Sequence, residues 1–249
     1  MNHITIIVGA RPNFMKIAPI IHEIKRRKAE GVDIDYSLVH TGQHYDKKMS
    51  GDFFEQLNIP EPDANLSAGG GTQAEQTGAI MIRFGEHLKK NPTDLVLVVG
   101  DVTSTMACAI TAQKLHVKVA HVEAGIRSND WTMPEEINRL VTDAITNYFF
   151  TTSEVANNTL RESGYGDDQI FFVGNCMIDT LLANKPRFIR PSIWEELGLN
   201  EKGYFMMTLH RPANVDEGAK LKELMDEIIN NTQDMPLVFP VHPRTKKML

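Results

Sequence analysis

The stretch DLVLVVGDVTST, residues 94–105, decides the fold that the sequence predicts. Residues 95–99 are an unbroken run of leucine and valine, and Gly100 and Asp101 follow them. An apolar strand without polar alternation is typical of a parallel sheet that helices cover on both faces. Helical spacing follows at once, from Thr103 to Lys114. The stretch therefore predicts one strand–helix unit of an α/β domain.

The same alternation continues in both directions along the chain. Short β-branched runs predict strands at His3–Gly9, Ile34–His40, Asp94–Gly100, Val117–Val122, Asn147–Thr152 and Gln169–Gly174. Apolar spacing of three and four predicts helices at Pro12–Lys28, Ala74–Lys89, Thr103–Lys114, Pro134–Thr146 and Ser153–Ser163. We expect an α/β fold with a doubly wound, Rossmann-like parallel sheet.

The pattern weakens across residues 184–202, where prolines, a charge-rich helix and a glycine indicate an interdomain linker. A second unit begins beyond it, with strands at Tyr204–His210 and Pro236–His242 around a helix from Asp216 to Asn230. Two strands with so few helices cannot cover both faces of a parallel sheet. We expect a first domain at residues 1–183, the linker, and the incomplete start of a second Rossmann-like domain at 203–249.

Composition narrows the class of protein. Of the 249 residues, 42% are hydrophobic and 23% are charged, which is typical of a globular chain with a real core. The net charge of −6 argues against nucleic acid as a partner, because phosphate binding needs a basic face. The amino terminus does not resemble a signal peptide, and no apolar run is long enough to span a membrane. We expect a cytoplasmic protein with no membrane partner.

The cysteines and histidines of the sequence give little indication of a metal site or a reactive thiol. Cys108 and Cys176 lie in apolar stretches without metal-ligand spacing, and we interpret them as buried structural thiols. The nine histidines form no HExxH motif, and HTGQHYD offers only His40 and His44 in a predicted loop. We expect no metal site.

Unusual polar residues follow nearly every predicted strand. They are Gly9-Ala10-Arg11, residues 40–44, Gly100-Asp101, residues 121–127 and His210-Arg211. Because the carboxyl ends of parallel strands form one edge of a sheet, and ligands bind there in doubly wound folds, this edge is the candidate site.

Two of these segments allow a functional and a purely structural interpretation. GARPNFMK, residues 9–16, places Arg11 at a helix start, which suits a phosphate because free N–H groups and the helix dipole attract anions. The alternative is a tight turn with a solvated Arg11. The stretch is neither GxGxxG nor a Walker loop, so nicotinamide and P-loop sites are disfavoured. Asp101 is either the N-cap of the next helix or a rigidly held catalytic carboxylate.

Each carboxylate considered alone has a structural explanation, but the group of carboxylates indicates an active site. Glu135 and Arg139 stand four residues apart on one predicted helix and would pair without any chemistry. Asp101, Glu123 and Glu135 are expected at one mouth, where like charges favour groups that exchange protons near neutral pH. His121 is either a core residue or a support beneath the site. His210 and Arg211 either take part in surface ion pairs or face the same mouth across a cleft.

In order and spacing, several motifs resemble those of the non-hydrolysing UDP-N-acetylglucosamine 2-epimerases. They are GARPNFMK (9–16), HTGQHYD (40–46), GDVTST (100–105), HVEAGIR (121–127), PEEINR (134–139), VGN (173–175), HRPAN (210–214) and PVH (240–242). The resemblance implies a glycosyltransferase-B-like pair of domains with a UDP-sugar between them, and a homodimer. It implies inversion of carbon 2 to give UDP-N-acetylmannosamine, by elimination of UDP and its re-addition, with neither metal nor nicotinamide cofactor.

The resemblance also assigns roles to individual residues. Its catalytic residues are Asp101, Glu123, Glu135 and His210. Its substrate-binding residues are Arg11, Lys16, Gln43, His44, Arg139, Arg211 and His242. Which carboxylate acts on which face of the sugar stays open, as does whether Arg11, Lys16 and Arg139 hold the diphosphate or order the carboxylates.

Departures from the family pattern leave alternatives. Family members continue past Leu249 into a segment that binds uridine and ribose, so one alternative is an inactive UDP-sugar-binding fragment. Another alternative is a hydrolysing relative that releases UDP and N-acetylmannosamine. A glycosyltransferase is less favoured because it would not need three carboxylates at one mouth. Gln43, His44, Glu136 and Arg211 resemble a family site for an activating second substrate, but Asp46 replaces a glutamine and the glycines at 69–71 lack an arginine. We do not expect such activation.

Overall fold

The computed structural model describes residues 2–42 and 54–248. The chain divides into two compact units, Met1–Pro186 and Arg187–Leu249. The first carries a seven-stranded sheet and the second a two-stranded one.

The first unit is built on parallel strands, and the apolar runs predicted all of them except the third. They are β1 (Asn2–Val8), β2 (Ile34–His40), β3 (Ala64–Asn65), β4 (Leu95–Val99), β5 (Lys118–Val122), β6 (Tyr148–Thr151) and β7 (Ile170–Phe172). Their order across the sheet is β3-β2-β1-β4-β5-β6-β7. The order reverses direction at β1, which pairs with β2 on one side and with β4 on the other. This reversal is the topological switch at which doubly wound folds bind ligands.

The helices of the first unit cover both faces of the sheet. They are α1 (Arg11–Ala29), α2 (Gln73–Lys90), α3 (Thr103–Lys114), α4 (Pro134–Ala144), α5 (Glu154–Glu162) and α6 (Cys176–Asn184). Along β1, Ile6 and Val8 pack in one core cluster with α1, while Ile7 packs in the opposite cluster with α2 and α3. Since successive side chains of a strand point to opposite faces, a strand covered twice needs apolar residues at every position. The predicted fold class is confirmed.

Helix α6 is an element that the sequence did not predict. It lies against α1, where Thr180 Oγ1 donates to the carbonyl of Met15 at 2.6 Å. Several of its apolar side chains, including Leu181 and Leu182, are exposed, so its pattern lacks a clear apolar stripe. Cys176 at its start is partly buried rather than buried as expected, whereas Cys108 is fully buried.

The second unit is smaller. Strands β8 (Phe205–Met206) and β9 (Leu237–Val238) are parallel, and the helices are α7 (Ser192–Glu196), α8 (Pro212–Val215), α9 (Gly218–Asn230) and α10 (Pro243–Lys246). Both strands are much shorter than predicted from their apolar runs, since only two residue pairs form the ladder. In the described parts of both units, no helix has the length and apolar composition to cross a membrane.

Candidate active site

Three side chains converge over the turn that follows β4. A methyl group placed on Gly100 would lie 2.9 Å from Lys16 Nζ, 3.6 Å from Glu123 Oε2 and 3.8 Å from Asn13 Nδ2. Lys16 and Asn13 come from the first turns of α1, and Glu123 comes from the turn after β5. The carboxyl ends of β1, β4 and β5 therefore supply one cluster at the topological switch.

Glu123 is held by an ion pair in which Lys16 Nζ donates to its Oε2. Both side chains are about one-eighth exposed, at 14% and 12%. The backbone of Glu123 is left-handed, with φ of +70°, and its N–H donates to Phe150 O at 2.9 Å. A non-glycine residue in this region is strained, and such strain is concentrated at functional sites.

Asp101 is held by a different cation. Arg139 donates to its Oδ2 from Nη2 at 2.6 Å and from Nε at 3.1 Å. Asn138 Nδ2 donates to the Asp101 carbonyl at 2.8 Å. The N-cap interpretation of Asp101 is wrong, because Val102 occupies the cap position of α3 and no side chain caps that helix. The carboxylate instead faces α4.

The third guanidinium nitrogen of Arg139 binds Glu136. Nη1 donates to Glu136 Oε2 at 2.7 Å, and the same carboxylate accepts the N–H groups of Ser128 and Asn129 at 2.9 and 3.1 Å. Burial opposes ionisation of Glu136, but these donors outweigh burial and lower the pKa of the carboxyl to about 2. Glu136 is only 1% exposed, and both of its carboxylate oxygens accept hydrogen bonds from protein groups, so its carboxylate is not presented to a second substrate molecule.

Glu135 precedes Glu136 in the first turn of α4 and behaves differently. It is partly exposed, and among residues 2–42 and 54–248 it has no hydrogen-bond or ion-pair partner. The predicted pairing of Glu135 with Arg139 is wrong, because the guanidinium turns to Glu136 and Asp101. Glu135 therefore keeps a carboxylate that no described protein group occupies.

The turn into α1 differs from the predicted anion pocket. Asn13 Oδ1 accepts the N–H groups of Gly9 and Ala10 at 3.0 and 2.9 Å, so these two amides are not free for a phosphate. Pro12, the second residue of the helix, has no N–H to offer. Arg11 is the first residue of the helix.

Beneath the carboxylates lies a buried network that the sequence analysis largely missed. His121 is 1% exposed, and its ring contacts Asp143 Oδ1 at 2.7 Å and the Gly100 carbonyl at 2.8 Å. Asp143 Oδ2 accepts from Gly125 N at 3.1 Å and from Arg127 Nη1 at 2.6 Å. His121 is therefore a buried residue that contacts the turn preceding Asp101. The available signal was a charged Asp143 seven residues after Glu136, on the same helical face.

The remaining predicted residues lie elsewhere. His40 is the last residue of β2, as the predicted strand Ile34–His40 had it rather than the predicted loop, and it is fully buried and stacked on Phe14. Gln43 and His44 lie outside the described residues. His210, Arg211 and His242 belong to the second unit and are exposed, and the rings of the two histidines are 5.7 Å apart.

Two further observations concern the described part of the chain. Arg211 forms no ion pair with any residue in that part, so the surface-pair interpretation finds no partner there. Within the same residues, no group of three or more histidine, cysteine, aspartate or glutamate side chains is placed to hold a metal ion.

The sequence profile of the UDP-N-acetylglucosamine 2-epimerase family matches residues 24–249. UDP-N-acetylglucosamine 2-epimerase of Methanocaldococcus jannaschii is 42% identical over 253 residues, covering 99% of this chain and 67% of that protein. UDP-2,3-diacetamido-2,3-dideoxy-D-glucuronate 2-epimerase of Pseudomonas aeruginosa is 39% identical over 248 residues, covering 98% and 67%.

Solved structures give the same result. The M. jannaschii epimerase in complex with UDP-GlcNAc and UDP superposes with a TM-score of 0.82 at 41% identity, covering 99% of this chain and 68% of that one. The Neisseria meningitidis epimerase bound to UDP-GlcNAc gives 0.85 at 26% identity, with 100% and 68% covered. The chain thus spans about two thirds of the length of these relatives.

Proposed function

The chain belongs to the UDP-N-acetylglucosamine 2-epimerase family, and from this premise we propose that it interconverts UDP-N-acetylglucosamine and UDP-N-acetylmannosamine by inverting carbon 2. The observation that carries the proposal is the pair of carboxylates at the topological switch. Glu123 and Asp101 follow neighbouring strands, and each is held by its own cation, Lys16 and Arg139. Two separately supported carboxylates suit two proton transfers.

The chemistry explains why such groups are needed. The hydrogen on carbon 2 is not adjacent to a carbonyl group, so its removal alone would be slow. In the proposed route a carboxylate takes this proton while the bond from carbon 1 to the diphosphate oxygen breaks, which leaves a carbon 1–carbon 2 double bond and UDP. A proton then reaches carbon 2 from the opposite face as the diphosphate oxygen re-forms its bond to carbon 1. The two faces require at least two acid–base groups.

We assign proton transfer to Asp101, Glu123 and Glu135, and the support of the departing diphosphate to His210 of the second unit. Glu135 suits proton transfer because no described group engages its carboxylate. The assignment of His210 rests on the family motif HRPAN.

For Lys16 and Arg139, the contacts favour ordering the carboxylates over holding the diphosphate, since each already donates to one. Arg11 is proposed as a cation for the diphosphate because it is the first residue of α1 and helix N-termini favour anions. Arg211 and His242, with Gln43 and His44, complete the proposed substrate-binding set. Cations that stabilise the departing UDP also retain it for the return step.

The proposal is tested by incubating the protein with UDP-N-acetylglucosamine in deuterated water and following carbon 2 by NMR. We expect deuterium at carbon 2 in a mixture of both epimers, with UDP still attached. Release of UDP and free N-acetylmannosamine would identify the hydrolysing alternative. Bound substrate without any exchange would identify a binding fragment and overturn the proposed activity.

We also infer that the protein is a cytoplasmic homodimer. The two unpaired cysteines, Cys108 and Cys176, suit a reducing compartment, and the homodimer follows from family resemblance. Light scattering after size-exclusion chromatography measures the assembly. A mass of one chain across the tested concentrations would contradict the dimer.

A further inference from the structure

The buried network beneath the candidate site has a geometry that links the two carboxylate-bearing turns. His121 lies at the penultimate position of β5, inside the first unit and shielded from water. Both atoms that face its ring nitrogens, Asp143 Oδ1 and Gly100 O, are hydrogen-bond acceptors. A ring that satisfies two acceptors carries a proton on each nitrogen.

The partner of this ring is ionised. Burial raises the pKa of Asp143, but the hydrogen bond and charge of His121 and the guanidinium of Arg127 outweigh burial, so the pKa lies below its ordinary range. Asp143 is thus a buried carboxylate that contacts both His121 and Arg127. Leaving either side of such a pair unpaired in the interior is costly.

Each member of the pair holds one turn of the site. His121 donates to the carbonyl of Gly100, which immediately precedes Asp101. Asp143 accepts the N–H of Gly125, two residues after Glu123. A methyl group on Gly125 would lie 2.5 Å from Ala156 O, and its φ is +78°, so this turn is wedged against α5.

The pair therefore adds a side-chain link between two turns that a backbone hydrogen bond, from Gly100 N–H to Val122 O at 2.9 Å, also joins. Gly100 and Glu123 both have positive φ, at +66° and +70°, and such conformations persist only where surrounding contacts determine them. Among the described side chains, His121 and Asp143 together connect the Gly100 carbonyl with the Gly125 N–H, one in each turn.

We propose that His121 and Asp143 form a buried ion pair that positions Asp101 and Glu123 relative to each other, without contacting the substrate. This inference rests on the proposed function. It makes both side chains positioning residues, and it predicts that their loss lowers kcat while the KM for the UDP-sugar changes little.

Matched substitutions at His121 separate the two bonds. His121→Gln keeps a donor near the Nε2 position, and with it the bond to Gly100. His121→Asn keeps only a donor near the Nδ1 position. We expect kcat to fall about 10²-fold in His121→Asn, as for a catalytic group displaced by about 1 Å, and less in His121→Gln. Asp143→Asn, which keeps its shape and loses its charge, is expected to match the more severe variant.

A control separates positioning from general stability. Gln113→Ala removes a hydrogen bond of 2.7 Å to Asn147, at the amino-terminal edge of the sheet and away from the site. Its kcat is expected to equal that of the wild type. In the wild type, ¹⁵N NMR of labelled histidine is expected to show one ring with a proton on both nitrogens, and sequence-specific assignment of the wild-type spectrum identifies that ring as His121.

The outcomes distinguish the two proposals. A wild-type protein without exchange at carbon 2 overturns the proposed function. An active wild type whose His121 and Asp143 variants keep kcat within about twofold, or lose only KM, overturns the positioning role alone. If the variants do not fold, the wild-type spectrum decides, because a His121 ring with a single proton contradicts the ion pair.

Discussion

At the scale of single residues, the adjacent glutamates of α4 make a matched pair. Glu135→Gln removes a carboxylate without described partners, so we expect exchange at carbon 2 to fall by about 10²–10⁴-fold while stability stays within about 0.5 kcal/mol. Glu136→Gln removes a buried acceptor of Arg139 and is expected to cost about 3 kcal/mol of unfolding free energy. Deuterium exchange and urea unfolding measure the two effects. Unchanged turnover in Glu135→Gln would remove it from the catalytic set.

The pKa of Glu136 also predicts a dependence on pH. Its value of about 2 in the folded state lies below the ordinary 4.5, so its stabilisation is present above 4.5 and is lost as pH falls towards 2. The stability gap between the wild type and Glu136→Gln should shrink by roughly 2 kcal/mol between about pH 6 and about pH 3. Urea titrations at both pH values measure the gap. A gap that does not change with pH would show that the contacts with Ser128 and Arg139 do not stabilise the ionised form of the Glu136 carboxylate.

Arg139 tests whether the shape of its side chain matters as well as its charge. Its guanidinium reaches Asp101 and Glu136 at once, which a lysine ammonium cannot reproduce. For Arg139→Lys we therefore expect a loss of kcat of about tenfold or more and a loss of stability of about 1–2 kcal/mol. Steady-state kinetics and thermal unfolding measure them. Retention of full kcat by the lysine variant would show that charge alone holds Asp101.

At the scale of elements, Gly9 sets how closely the start of α1 approaches α3. A methyl group on Gly9 would lie 2.1 Å from Ser104 Oγ and 2.7 Å from its Cβ, so rotation of Ser104 does not relieve the clash. We expect Gly9→Ala to cost about 1–3 kcal/mol. Gly78→Ala in α2 meets nothing within 4 Å and is expected to stabilise by up to about 1 kcal/mol. Thermal unfolding compares them, and equal effects would contradict the close packing.

At the scale of the whole molecule, the three buried clusters of the core lie within the first unit. We expect a fragment of residues 1–186 to unfold cooperatively on its own. A shorter fragment of residues 1–175 lacks α6 and its bond to Met15, and should unfold at a lower temperature. Residues 187–249, whose sheet has two strands of two residues, should not fold alone. Circular dichroism against temperature tests all three, and a non-cooperative 1–186 would place essential contacts outside the first unit.

Whether an element could be predicted from the sequence depends on whether it is stabilised by residues close to it in the chain or by residues far from it. Strands β2 and β4 and helix α3 were predicted to within a residue, because periodicity and apolar runs report on local structure and on burial of both faces. Helix α6 and the short β3 were missed, since their stability comes from docking on neighbours and their own pattern is weak. The strands of the second unit were predicted too long. An apolar run indicates that its residues are buried, but the length of a strand also depends on how many residues of a neighbouring strand pair with it.

By itself the sequence determined the α/β class, the edge of the sheet at which polar residues gather, and the family to which its motifs belong. It did so because strand ends and motif order are read along the chain. Only the tertiary structure decided which cation serves which carboxylate, that Asn13 occupies the amides of the first turn, and that His121 and Asp143 connect two turns. Those contacts join residues up to 107 positions apart, and side-chain geometry chooses among acceptors that look equivalent in sequence.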